Sequence, residues 1–136
     1  MNDRLKTIVD LEKYPIQDLN SPKIKKIINK CKAELDQFSC STISNFILPK
    51  SLKTMNVELE KQVDKVYMSK ESINPYLHSI DESSLEKDHP KKIFSKRYNG
   101  YLNSDLFDKN SEMKFLYEQQ ELLNFVSACV GISPIY

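Results

Sequence analysis

Apolar residues along this chain change their spacing from segment to segment, and the changes mark out the elements. Residues 1–13 are mostly polar, with Ile8, Val9 and Leu11 available for one short contact. Tyr14-Pro15 and Ser21-Pro22 then punctuate an extended lead-in, because a residue before proline avoids the helical region. Ser21 followed by Pro22 predicts a helix start, a side-chain cap and then proline at the first helical position. Ile24, Ile27, Ile28, Cys31 and Leu35 follow at i, i+3, i+4, i+7 and i+11, one apolar stripe on a helix over 22–37. The helical period breaks over 38–47, where β-branched and aromatic residues predict a short strand. Pro49 opens a second helix with Leu52, Met55, Leu59, Val63 and Val66 on one side. Between Tyr67 and Phe107 no period holds. Asn74-Pro75-Tyr76 and Asp88-His89-Pro90 are turn signals there, so the stretch reads as long and irregular. Ser111 caps a helix that buries Met113, Phe115, Leu116 and Tyr117. Leu122, Leu123, Phe125, Val126 and Cys129 form a further apolar face that Gly131 ends. The last residues, Ile132-Ser133-Pro134-Ile135-Tyr136, read as an apolar, strand-like segment that asks for a partner.

Composition narrows the class. With 136 residues, 40% of them hydrophobic and 29% charged, the chain has the make-up of one folded domain. Twenty basic and nineteen acidic residues leave a net charge of +1, which argues against a dedicated nucleic-acid binder. Lys23, Lys25, Lys26, Lys30 and Lys32 therefore read as a solvated helix face. Lys91-Lys92 and Lys96-Arg97, interleaved with Phe94 and Tyr98, read as a surface loop or edge strand. No apolar run reaches the length that spans a bilayer, and the first residues lack the apolar core of a signal peptide, so the expected setting is cytoplasmic and away from membranes. Cys31, Cys40 and Cys129 are odd in number and have no CxxC pair; Cys31 and Cys129 read as small core residues. Two glycines, Gly100 and Gly131, are too few for the turns and bulges of a complete barrel or jelly roll.

Candidate chemistry is sparse. A non-haem iron site takes two histidines and one carboxylate on a single face. His78-Ser79-Ile80-Asp81 and Asp88-His89 supply the residue types at the wrong spacing, since strand residues share a face only two apart. Glu58 and Glu60, like Glu118 and Glu121, fall on predicted helices as solvated pairs. Phosphate loops, nucleophile elbows, zinc motifs and calcium loops are all missing from the sequence.

Asp10-Leu11-Glu12-Lys13-Tyr14-Pro15-Ile16, Ser21-Pro22 and Cys31-Lys32-Ala33-Glu34-Leu35 nevertheless resemble the N-terminal region of a bacterial Fe(II)/2-oxoglutarate-dependent oxygenase family, whose members hydroxylate or halogenate free amino acids. Asn74-Pro75-Tyr76, Asp88-His89-Pro90, Leu116-Tyr117 and the helix ending at Gly131 before Pro134 and Tyr136 fall in a similar order. The resemblance runs through most of the chain and about the first half of a family member. It implies an α+β fold, amphipathic helices plus the first strands of an incomplete jelly roll, as one partial domain over 1–136. It also implies Fe(II) and 2-oxoglutarate as cofactors of the intact relative, and a small-molecule substrate. The family's His-x-Asp, distal His and 2-oxoglutarate-binding Arg match no position here, so neither catalytic nor metal residues carry over. Where the family often has a His before its Asn-x-Tyr segment, this chain has Ile73. Asn74 and Tyr76 are the candidate substrate-contacting residues at a pocket mouth; a proline-fixed turn with Tyr76 packed on the core is the competing reading. The functional expectation is an oxygenase's N-terminal portion, inactive by itself. The alternative is a non-catalytic helical protein-interaction module or oxygenase remnant that buries its apolar faces against a partner; exposed apolar edges also give a route to self-association.

Overall fold

The computed structural model describes residues 3–79, 81 and 83–135. Met1, Asn2, Ile80, Glu82 and Tyr136 lie outside the described residues, and with them part of the His78–Asp81 stretch and the last position of the apolar C-terminal segment. The fold is mixed α+β, with α-helices and, among the described residues, one two-stranded antiparallel sheet. The chain divides into two compact units, one holding residues up to Glu60 and from Phe107 onward, the other Lys61–Leu106.

In the first unit the Pro22–Phe38 helix (α2) forms where the apolar stripe predicts it, with Pro22 in the first turn. Ile24, Ile28 and Cys31 are its buried positions. Ser21 stands at the N-cap, but its hydroxyl makes no capping bond and Oγ is buried without a partner. The first turn closes through the backbone instead, Lys25 N–H donating to the Ser21 carbonyl at 3.1 Å. Ser39, left-handed at φ 55°, ends the helix.

The polar N-terminus is a larger contributor than its composition suggests. Leu5–Ile8 is a one-turn helix (α1), and Leu5, Ile8 and Val9 are fully buried at the centre of the core. Each such side chain contributes roughly 1.5–3 kcal/mol of burial. The strand expected over 38–47 does not form. Ser39 and Asn45 both take positive φ, which interrupts an extended run, and only Ile47 pairs, in an isolated antiparallel bridge with Val9. Asp10 N–H donates to the Phe46 carbonyl and Leu48 N–H to the Ile8 carbonyl, at 3.0 and 2.8 Å. Phe46 in turn stacks on Phe125 at 6.1 Å and lies tilted against Tyr14 at 5.5 Å, so this loop supplies core in place of a sheet.

The helix opened by Pro49 spans Pro49–Glu60 (α3) and stops short of Val63 and Val66. It turns Ser51 and Met55 inward, while Leu52, Leu59 and Val63 of the expected stripe are exposed. Ser51 fixes that rotation: its hydroxyl donates to the Thr7 carbonyl at 2.9 Å, close against α1. Glu112–Tyr117 (α4) begins at Ser111, whose hydroxyl accepts the Lys114 N–H as expected. Leu116 is buried, Met113 and Phe115 are half-buried, and Tyr117 is exposed rather than packed. Gln120–Val130 (α5) packs on α2 through Phe125 and Cys129 and ends at Gly131, left-handed at φ 74°. Residues 132–135 form no strand; Ser127 hydroxyl donates to the Ile132 carbonyl.

The second unit holds the hairpin that the aperiodic stretch concealed. Tyr67–Ile73 (β1) pairs antiparallel with Ser95–Tyr101 (β2), Tyr67 opposite Tyr101 and Ile73 opposite Ser95. The Lys96-Arg97 strip accordingly sits on an edge strand. Gly100 stands where a Cβ would meet Val66 Cγ1 at 2.8 Å and Met68 Sδ at 3.3 Å, so a larger residue there would displace those side chains. Short 3₁₀ turns at Val63–Lys65, Pro90–Lys92 and Ser104–Leu106 complete this unit.

Candidate functional site

Asn74 and Tyr76 meet in one turn of the second unit. Asn74 is 3% exposed, and its Oδ1 accepts the backbone N–H groups of Tyr76 and His78 at 3.0 and 3.1 Å. Its Nδ2 donates to the Lys91 carbonyl at 2.8 Å, which ties the start of the 74–94 connection to its end. The amide thus replaces backbone partners in a segment without regular structure, the usual work of a buried Asn in a turn. Pro75 follows, and Leu77 closes the turn with positive φ, its N–H donating to the Asn74 carbonyl. Tyr76 is 54% exposed with its ring outward, so it is not packed on a core. Asn74 holds the loop, and Tyr76 is the member of the pair presented to solvent.

His78 is exposed on the same turn. His89 is half-buried, and its Nδ1 accepts the Lys91 N–H at 3.1 Å, capping the Pro90–Lys92 turn. Among the described residues no three His, Cys, Asp or Glu side chains converge so as to hold a metal ion.

A concave surface lies in the first unit, along α2. A groove of about 680 Å³ is floored by Tyr14, Ile27, Cys31 and Ile43 and rimmed by Lys13, Lys23, Lys26 and Lys30. Tyr14 is buried and donates its hydroxyl to the Ser44 carbonyl at 2.6 Å, so the floor is rigid at that end. Lys13 reaches the same Ser44 carbonyl at 3.2 Å, its ammonium 5.2 Å above the Tyr14 ring. Lys23 donates to the Glu12 carbonyl. Lys30 pairs with Glu34 at 3.3 Å; the Ser41 hydroxyl, and then Lys30, hold that carboxyl below its usual range. A second recess of about 630 Å³ carries both signs of charge, with Lys6, Asp10 and Glu12 on its wall.

Reading α2 as a solvated face missed this groove. The signal was the i, i+3, i+7 spacing of Lys23, Lys26 and Lys30 beside Ile27 and Cys31, which places the charges along one apolar margin. At its floor, Cys31 neighbours Cys129 of α5. Burial above all, and then the adjacent Cys31 sulfur, push the Cys129 thiol up to about 12. Cys129 is thereby held as a core thiol rather than a nucleophile.

No helix among the described residues is long and apolar enough to cross a membrane. Set against known proteins, the chain matches no protein-family model, no curated protein and no solved structure.

Proposed function

We propose that these residues are the outer helical scaffold of an Fe(II)/2-oxoglutarate-dependent oxygenase acting on a small molecule such as an amino acid. On this reading the hairpin belongs to the start of a jelly roll, and the iron ligands and the 2-oxoglutarate-binding Arg come from residues outside this sequence. One observation carries it: the collinear series from Asp10-Leu11-Glu12-Lys13-Tyr14-Pro15-Ile16 through Ser21-Pro22 and Cys31 to Leu116 and Gly131. Its support is that several of these positions have structural work to do. Tyr14, Cys31 and Leu116 are core, Pro22 starts α2 and Gly131 ends α5. Asn74 and Tyr76 would then form part of the substrate entrance, Asn74 as the fixed base of the turn and Tyr76 as the exposed ring.

The transcript downstream of the Tyr136 codon tests the proposal. An in-frame His-x-Asp stretch supports it, whereas an in-frame stop followed by unrelated sequence overturns it. Purified chain given Fe(II) and 2-oxoglutarate forms no succinate on this reading, and turnover would equally overturn it. A second reading, a helical interaction module, is favoured by the exposure of Leu52 and Leu59 on α3. It expects concentration-dependent self-association in sedimentation, lost in Leu52→Ser with Leu59→Ser.

A further inference from the structure

We propose that the lysine-rimmed groove along α2 binds a small organic anion that joins two or more negative charges, of the phosphate-ester kind, to an apolar or planar body. The inference goes beyond the oxygenase reading and does not rest on it.

The charge arrangement is the first ground. None of the lining residues is acidic. Lys13 and Lys23 are held over the groove by the carbonyls of Ser44 and Glu12, and a carbonyl takes one ammonium N–H without cancelling the charge. Among the described residues no carboxylate pairs with Lys13, Lys23 or Lys26; Lys30 is the one rim lysine seen in an ion pair. Lys23 also stands in the first turn of α2, where there is no acidic residue and the helix dipole disfavours a cation. A cation placed against the dipole weakens the helix, the sort of local conflict that marks a site serving something other than stability. An anion bound there would be attracted by both the ammonium groups and the helix start.

The shape is the second ground. Lys23, Lys26 and Lys30 are spread along one helix over a rise of about 10 Å at 1.5 Å per residue, and a single carboxylate offers such a row one charge and two acceptor oxygens. Several charges, or a compact dianion with three acceptor oxygens, use the row better, and lysine suits phosphate as a point charge. Between the charges lie Tyr14, Ile27 and Ile43, an apolar floor that an inorganic ion would leave uncovered. A groove of about 680 Å³ falls within the roughly 300–1,000 Å³ typical of small-ligand sites. Size thus favours a compact molecule over an extended acidic peptide.

The test uses the whole chain and four probes followed by calorimetry and by NMR of backbone amides: 1-naphthyl phosphate, 1-naphthol, inorganic phosphate and hexaglutamate. The expected result is one-to-one binding of 1-naphthyl phosphate that shifts Tyr14, Ile27 and Ile43. The neutral and the inorganic probes bind at least about tenfold more weakly, and added salt weakens the complex. Lys23→Gln with Lys26→Gln, both exposed positions, lowers affinity about tenfold with unchanged circular dichroism. Lys50→Gln with Lys53→Gln on α3 leaves affinity unchanged. Equal binding of 1-naphthol, tighter binding of hexaglutamate than of 1-naphthyl phosphate, the same loss in the α3 pair, or no binding would each overturn the proposal.

Discussion

Substituting Ser111 by aspartate should destabilise this protein, although aspartate is as good a helix cap as serine. The reason is Glu58. The Ser111 hydroxyl accepts the Lys114 N–H at 3.1 Å as the N-cap of α4 and donates to Glu58 Oε2 at 2.7 Å. Glu58 Oε1 accepts the Glu112 N–H at 3.0 Å, so one carboxylate on α3 holds the start of α4 by two bonds. Arg4 binds the Ser111 carbonyl at 3.3 Å and lies 4.2 Å over the Phe115 ring, which brings the segment preceding α1 into the same knot. Ser111→Ala loses a cap worth about 1 kcal/mol and a hydrogen bond to a charged oxygen worth about 1.5–3 kcal/mol. Glu58 is half-buried and regains some water, so a net loss of about 2 kcal/mol is expected. Ser111→Asp keeps the cap but sets a second carboxylate against Glu58. Like charges about 4 Å apart repel by up to about 4 kcal/mol at a surface-like dielectric, before the side chains move apart. Aspartate should therefore cost at least as much as alanine, and Glu58→Gln in the Ser111→Asp background should recover most of the loss. Urea unfolding of the four chains at pH 7 reads this directly. Parental stability in Ser111→Asp would refute the coupling between α3 and α4.

Three other outcomes follow from the same reasoning. Cys129 has its thiol raised from 9.0 to about 12 by burial and by Cys31, so above pH 9 the unfolded chain ionises it and the folded chain does not. Stability present below pH 9 should fall as pH rises toward 12, and Cys129→Ala should show a shallower fall in unfolding measured from pH 8 to 11. Gly100→Ala should open the hairpin, since its Cβ would sit 2.8 Å from Val66 Cγ1; faster amide exchange across β1 and β2 with α2 unchanged is the expected signature. Asn74→Ala removes three bonds from a buried amide and should raise exchange over 74–91, by about 1 kcal/mol of local stability per bond. Asn74→Asp, which keeps the two acceptor bonds, should do so less.

What could be read from the sequence divides by the physics behind each signal. α2 was legible because a long stripe with proline at its start leaves few alternatives. α4 and α5 were legible for their caps, Ser111 and Gly131. The rotation of α3 was not, because the Leu52, Met55 and Leu59 stripe suggests one inward face, while the Ser51 bond to the Thr7 carbonyl turns Ser51 and Met55 inward and leaves Leu52 and Leu59 exposed. That bond depends on where α1 lies, and local sequence does not contain it. α1 itself showed helical spacing at Leu5, Ile8 and Val9, but charged neighbours masked a segment too short to display a period. The hairpin escaped for a different reason. Tyr67, Met68, Tyr98 and Tyr101 are exposed on both faces, so neither strand shows the inside–outside alternation by which strands are recognised.

The groove shows why a candidate site is harder to read than the helix that builds it. Helical period tells which residues of α2 turn inward, and by elimination the lysines turn outward, which is correct for each of them singly. Whether an outward face is merely solvated depends on what other chain segments lay beside it. Here Lys13 and Tyr14 come from the lead-in and Thr42, Ile43 and Ser44 from the loop after α2, joined through the Ser44 carbonyl that accepts from both Lys13 and Tyr14. That loop would have been a strand on propensity alone. Because Ser39 and Asn45 take positive φ instead, it folds back along α2 and turns a row of surface charges into the wall of a cavity. The same two residues that defeat the strand reading thus create the concavity. Replacing Asn45 by valine, which resists positive φ, should weaken the anion site and the Tyr14 bond together, whereas a lysine row acting alone would keep its affinity.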